Sequence, residues 1–100
     1  MADVRVIAAY EEYHRILADL SKDLKGYVTD MRETSSGVAN DSRSLGNDWE
    51  GEAYDKFYGD TIQILREISS GLDKVTALTG VIDDKVPKLA KAIELLKGNG

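Results

Sequence analysis

Cysteine is absent from the 100-residue sequence, so the chain has no thiol for catalysis or for a disulfide. It has a single histidine, His14, and therefore lacks the clusters of histidine and cysteine that hold zinc. His14 falls on the apolar face of a predicted helix, where we expect a packed or solvated side chain. These absences exclude thiol chemistry and disfavour a metal site.

Groups of residues that support catalysis are also missing. The sequence has no glycine-rich phosphate loop and no recognisable set of serine, histidine and aspartate. The acidic pairs Glu11-Glu12 and Asp83-Asp84 are sequence neighbours, and neighbouring side chains of a helix do not face each other. We therefore expect no catalytic residue, no metal ligand and no cofactor, and we expect a protein that works by binding rather than as an enzyme.

The chain has neither an excess of positive charge nor a long apolar run. The net charge is −5, which divides into −3 for residues 1–48 and −2 for residues 49–100. Both signs are thus mixed along the chain, which leaves no basic stripe for nucleic acid. Arg5 interrupts the apolar N-terminal patch, which fits neither a signal peptide nor a membrane span. The last segment carries four lysines, Lys85, Lys88, Lys91 and Lys97. Acidic residues lie among them and offset their charge, which disfavours a membrane-surface helix.

Proline occurs once and turn pairs typical of β-hairpins are absent between apolar runs, whereas helical periodicity is strong. Positions recurring every three and four residues predict helix 1 over about residues 3–44 and helix 2 over about residues 48–86. Because Pro87 lacks an N–H donor, we expect a kink or a break there, followed by a short helical tail over residues 87–97. The first seam comprises Ile7, Tyr10, His14, Leu17, Ser21, Leu24, Val28, Met31, Ser35 and Val38. The second seam comprises Phe57, Thr61, Ile64, Ile68, Leu72, Val75, Thr79, Ile82, Val86 and Leu89, with Ile93 and Leu96 beyond.

A short segment, residues 45–51, separates the two predicted helices. Gly46 suits a helix C-cap, and Asn47 can cap the next helix while Glu50 closes a capping box. So short a connection requires antiparallel neighbours. We therefore predict an all-α fold with one domain, an antiparallel two-helix hairpin of the helix-turn-helix type.

The short connection also fixes how the two seams pair. It places His14 opposite Ile82 and Val28 opposite Ile68. A chain of this length buries only a thin core, and each glycine inside a helix costs roughly 1 kcal/mol relative to alanine. We therefore expect a partner that covers further apolar surface.

A second apolar stripe accompanies each seam. Two interpretations are open: the stripes widen the core face, or they form an oligomer interface. In the second case the stripes lie at opposite ends of the hairpin, so two hairpins stack antiparallel about a two-fold axis into a four-helix bundle. The helix 1 stripe comprises Tyr13, Ile16, Leu20 and Tyr27, and the helix 2 stripe comprises Tyr58, Ile62, Leu65 and Leu72.

The tripeptide Trp49-Glu50-Gly51 lies at the midpoint of the chain, between the two predicted helices. Ala53 follows the glycine by two positions and Phe57 follows it by six. Together with the chain length and the hairpin pattern, this arrangement resembles the WXG family of ESAT-like proteins, which are substrates of type VII secretion in Gram-positive bacteria and mycobacteria. Trp49 offers a large apolar body with one N–H donor, and Gly51 permits close approach of a neighbouring group. The tryptophan either only anchors the turn or is also recognised by the secretion machinery.

The resemblance implies a protein that is secreted without a cleaved signal peptide and is cytoplasmic before export. It also implies a homodimer, or a pair with a related helical hairpin protein. Many family members carry a Tyr-x-x-x-Asp/Glu export motif after helix 2, whereas this sequence has no tyrosine beyond Tyr58. Two alternatives to an exported dimer therefore remain open. One is a dedicated chaperone or targeting partner of a larger toxin, and the other is a generic helical scaffold protein.

Overall fold

The computed structural model describes residues 3–98. Within that range the chain forms two long helices packed against each other and no strand, so the predicted all-α helical hairpin is confirmed. Helix α1 spans Val4–Ser44 and helix α2 spans Glu52–Gly98. A 3₁₀ turn, Leu45–Asn47, and four irregular residues connect them.

An aspartate caps the start of α1. The backbone N–H of Arg5 donates to Oδ1 of Asp3 at 2.8 Å, and the backbone N–H groups of Val6 and Ile7 donate to the Asp3 carbonyl. A side-chain oxygen in this position satisfies a donor that the helix itself leaves without an acceptor. The predicted start of helix 1 near residue 3 agrees with this cap.

The fold divides into two compact units, which are described separately. The terminal unit contains residues 3–25 and 76–98, and the turn unit contains residues 26–75. Each has a thin core, because most side chains of the seams are half-buried. Among the described residues, those buried in the terminal unit are Ser21, Thr79 and Ile82, and those buried in the turn unit are Val28, Ser42 and Leu72. All of these except Ser42 lie on the predicted seams.

Helix α2 continues through Pro87 to Gly98, so of the predicted kink or break the break is wrong, and the helical residues 87–97 belong to α2 itself. Pro87 has no N–H to donate to the carbonyl of Asp83, and this loss interrupts only one backbone hydrogen bond. Apolar packing continues on both sides of the proline, since Val86 and Leu89 are half-buried. Tertiary packing therefore maintains a helix that local propensity alone would end.

The pairing of the seams in the terminal unit differs from the predicted one. His14 lines a cleft with Ala90 and Ile93, whereas the sequence placed it opposite Ile82. The difference amounts to about two helical turns. Because both seams repeat every seven residues, sliding one helix past the other by a heptad keeps apolar residues in contact. Apolar spacing alone therefore does not choose among these registers.

Candidate interaction surfaces

The connection between the helices ends at a glycine with a left-handed backbone. Gly51 has φ +102°, and its carbonyl accepts the N–H of Asp55 at 3.0 Å as α2 begins. The predicted start of helix 2 near residue 48 is wrong, because Gly51 leaves the helical region just before Glu52. Asn47 ends the 3₁₀ turn and does not cap a helix.

Trp49 packs on the first turns of α2. Its ring lies 5.4 Å from that of Phe57 and 5.6 Å from that of Tyr54, measured between centroids, and it meets Tyr54 edge to face. Tyr54 in turn stacks on Tyr58 at 5.9 Å. The Trp49 side chain is nevertheless 39% exposed. The tryptophan thus anchors the turn and also presents part of its ring to solvent.

Tyr54 links the beginning of α2 to the end of α1. Its hydroxyl donates to the carbonyl of Ser42 at 2.9 Å. The ring lies over Gly46, where an added Cβ would stand 2.9 Å from the tyrosine oxygen. Sequence reasoning assigned Gly46 to a helix C-cap and missed this contact. A glycine eight residues before an aromatic residue across a predicted turn was the available signal.

The helix 1 stripe is open to solvent in a single chain. Tyr13, Ile16, Leu20 and Tyr27 are between 42% and 57% exposed. Large apolar side chains at helical spacing with this exposure are typical of a surface that a partner covers. The interpretation that these four residues merely widen the core face is not favoured by their exposure.

The helix 2 stripe is only partly available to a partner. Leu72 is 5% exposed and belongs to the core of the turn unit, so its assignment to an interface is wrong. Tyr58, Ile62 and Leu65 are half-buried. Ile62 and Leu65 line a shallow groove whose opposite wall is built from small residues of α1: Ser35, Ser36 and Ala39.

Sequence reasoning missed the apolar side chains that α2 exposes most. In the turn unit these are Phe57 and Ile64, and in the terminal unit they are Leu78, Val81 and Leu95. The spacing of three and four residues was visible in the sequence. Phe57 and Ile64 belong to the predicted second seam, and they are its exposed members, because the other residues of that seam are buried or half-buried.

An apolar groove with a basic edge runs along the terminal unit. Tyr13 and Leu17 of α1 form one wall, while Leu89, Ala92 and two lysines of α2 form the other. The lysines are Lys85 and Lys88. The groove therefore joins one end of the helix 1 stripe to cationic side chains of α2, and it suits an apolar partner that also carries negative charge.

Polar contacts bind the helices of the terminal unit at a separate place. The Ser21 hydroxyl donates to Asp83 Oδ1 at 2.5 Å, and Lys25 Nζ lies 2.6 Å from Asp83 Oδ2. Hydrogen bonds from Lys25 and then from Ser21 lower the pKa of the Asp83 carboxyl below its ordinary value. Since Ser21 is buried, this contact favours one register of the helices over its heptad neighbours.

An equivalent polar contact binds the helices of the turn unit. The Arg32 guanidinium donates to Asp73 Oδ1 at 2.8 Å and to the Ser69 hydroxyl at 3.5 Å. Asp73 is largely exposed, so the ion pair contributes little to stability. Its geometry specifies which residues of the two helices lie side by side.

Within residues 3–98, no stretch of helix is long and apolar enough to cross a membrane. No three histidine, aspartate or glutamate side chains of this part of the chain come together in a way that could hold a metal ion. Comparison with family models, with curated proteins and with solved structures finds no match to the chain.

Proposed function

We propose that this chain is a small ESAT-like protein of the WXG type that acts in type VII secretion. It works as a helical dimer, binds other proteins and catalyses no reaction. It is exported without a cleaved signal peptide. A three-residue motif is by itself weak support for this function. The positions of Trp49 and Gly51 in the fold add to that support.

The position of the motif is the observation that carries the proposal. Trp49 and Gly51 lie in the connection between helices of 41 and 47 residues. Gly51 adopts a φ that L-residues avoid, and Trp49 packs on Phe57, the aromatic residue that completes the pattern. Each residue of the motif thus has a physical role at the turn. The exposed part of the tryptophan is available to a second protein.

The thin core supports a dimer. The apolar side chains that the described residues bury are only Val28, Leu72 and Ile82. The four residues of the helix 1 stripe stay exposed, and burying apolar surface contributes about 25 cal/mol per Å². A second hairpin on this stripe would add the apolar contact that one chain lacks, as is usual for small domains.

Export from a Gram-positive host that has a type VII system tests the function. We expect wild-type protein in the culture supernatant of the competent strain and none above lysis level in a strain without the secretion ATPase. The variant Trp49→Ala should lower the ratio of supernatant to cellular protein. Leu72→Ala is the matched control, because it destabilises the fold and leaves the turn motif unchanged.

The outcomes of this experiment separate the alternatives. Equal supernatant levels in both strains would contradict a role in type VII export. Export only when a toxin gene is co-expressed would assign the chain as the targeting partner of that toxin. A protein retained in the cell under every condition would be a helical scaffold. A Leu72→Ala variant that loses export as fully as Trp49→Ala would refute recognition of the tryptophan.

A further inference from the structure

The exposed apolar residues of α2 fall on two segments that carry opposite charge. In the turn unit, Phe57 and Ile64 alternate at three- and four-residue spacing with two acidic residues; we name Phe57, Asp60, Ile64 and Glu67 the acidic half-stripe. In the terminal unit the same spacing includes two lysines; we name Leu78, Val81, Lys85, Lys88, Ala92 and Leu95 the basic half-stripe. Residues at such spacing share one face of a helix.

The two units also differ in net charge, and the turn unit is the more acidic one. The turn unit has ten acidic and five basic residues, and the terminal unit has eight of each, so the whole net charge of −5 belongs to the turn unit. An approaching acidic surface is therefore repelled by the turn unit and not by the terminal unit. Lys85 and Lys88 of the basic half-stripe are two of the eight basic residues of the terminal unit, and they adjoin exposed apolar side chains of the same helix face.

We propose that the basic half-stripe of one copy packs against the acidic half-stripe of a second copy, so that the two α2 helices run antiparallel. This inference rests on the proposed dimer and identifies the α2 residues that direct it. The lysines of the basic half-stripe then lie near the carboxylates of the acidic half-stripe. The contact is reciprocal, because each copy carries both half-stripes.

One register aligns the two half-stripes along their length. It places Glu67 opposite Lys85 and Phe57 opposite Leu95 of the second copy. Lys88 then lies opposite Ile64, between Asp60 and Glu67, and its long side chain can reach either carboxylate. Gly71, which continues the acidic half-stripe at the same spacing, then lies opposite Val81. A glycine opposite valine lets the two helices approach closely. In a parallel arrangement the acidic half-stripes would face each other, and their like charges would repel.

Existing ion pairs do not compete strongly with this contact. Asp60 pairs with Lys56 at 2.9 Å and Lys88 pairs with Asp84 at 3.1 Å, each within its own helix. All four side chains are more than half exposed, and such surface pairs are worth little. The groove that includes Lys85 and Lys88 also includes Tyr13. The α2 contact and the helix 1 stripe therefore adjoin each other in the terminal unit.

Charge reversal tests the pairing. We would measure self-association by analytical ultracentrifugation for the full chain and for two variants, Lys85→Glu/Lys88→Glu and Asp60→Lys/Glu67→Lys. Each variant alone should associate at least about tenfold more weakly than wild type, because its half-stripes then carry the same charge. An equimolar mixture of the two should recover wild-type association. Circular dichroism would establish that each variant is helical.

A matched control changes the net charge equally and leaves the half-stripes intact. The variant Arg5→Glu/Lys91→Glu serves this purpose, and it should associate like wild type. If Lys85→Glu/Lys88→Glu associates like wild type, the inference is overturned while the dimer stands. If the wild-type chain is a monomer at high micromolar concentration, the proposed dimer itself is refuted.

Disulfide trapping tests the orientation, since the chain has no cysteine of its own. A mixture of Gly71→Cys and Val81→Cys should form mainly the mixed disulfide under mild oxidation. Space for a side chain at Gly71 is open, with no atom within 4 Å of an added Cβ. Predominant homodisulfides of either variant would overturn the antiparallel pairing.

Discussion

Leu72 gives the sharpest test of how the hairpin is stabilised. It is 5% exposed in the turn unit, whereas Leu78 on the same helix is 50% exposed in the terminal unit. The substitutions Leu72→Ala and Leu78→Ala remove identical groups from one helix. They differ in the burial of those groups, so a comparison isolates the contribution of the intramolecular core.

The expected magnitude follows from the carbon atoms removed. Leucine to alanine deletes three carbons, and each buried methylene or methyl group contributes about 0.8 kcal/mol. Removing these carbons from a fully buried position would therefore cost about 2.4 kcal/mol of stability. The higher helix propensity of alanine offsets a few tenths of a kcal/mol of that loss. Leu72 lines an open pocket together with Arg32, Ser35, Ser36 and Ser69, so we expect water to enter the vacated space. We expect Leu72→Ala to lower the free energy of unfolding by about 2 kcal/mol and Leu78→Ala by about 1 kcal/mol or less.

Urea unfolding followed by circular dichroism measures both values, and it should be run at low and at high protein concentration. Leu72→Ala should lower the midpoint at both concentrations. Leu78→Ala should do so mainly at high concentration, where a second copy would cover its site in the proposed dimer. For a chain of this size, 2 kcal/mol corresponds to a fall in melting temperature of roughly 8–16 °C. Equal losses for both variants at low concentration would refute the assignment of Leu72 to the core.

Four further substitutions address the turn, helix α2 and the polar contacts. Gly51→Ala should cost roughly 1–3 kcal/mol in thermal unfolding because of the φ of +102°, whereas Gly59→Ala, with open space around its Cβ, should stabilise α2 by up to about 1 kcal/mol. Tyr54→Phe should cost about 1 kcal/mol in the same assay through the lost hydrogen bond to α1, and no loss would contradict that link. The lowered pKa of Asp83 stabilises the fold above the unfolded value of about 4, and this part is lost as pH falls further. The urea midpoint of Asp83→Asn should therefore fall less than that of wild type between pH 5 and pH 2, and an equal fall would contradict the contribution.

The long helices were predictable because apolar periodicity over forty or so residues has few other solutions. The residues at which the helices begin and end were harder to predict. Asn47 has the residue type of a cap, yet the positive φ of Gly51 delays α2 to Glu52. Proline usually ends a helix, yet α2 continues beyond Pro87 because the apolar residues around it are packed. At Pro87 tertiary packing overrode a local preference, whereas at Asn47 the backbone of a nearby glycine did so.

The pairing of the helices and the faces they expose could not be read from spacing alone. Ile64 and Leu65 both fit an apolar face at helical spacing, and the rotation of α2 about its axis decides which one is covered. Ile64 is exposed and Leu65 is half-buried. The polar contact between Ser21 and Asp83 is among those that specify the register, and it joins residues that share no sequence motif.

The distribution of charge is another property of the fold that is not read directly from the order of residues. The two halves of the sequence differ by one charge, because each contributes one helix to both units. Once the chain folds back on itself, residues 26–75 hold the whole net charge. A tally over the two halves of the sequence therefore concealed an asymmetry between its middle and its two ends, which the fold brings together as one unit.

The single tryptophan of the chain lies in the turn, beside Tyr54 and Phe57. Its emission is consequently a local optical probe of the turn unit, whereas far-ultraviolet dichroism averages over both helices. Excitation of Tyr54 and Tyr58 can pass to the indole over so short a separation, which makes the signal sensitive to the first turns of α2. If the two signals change together on heating, the hairpin melts as one cooperative body; if they separate, the termini and the turn unfold in sequence.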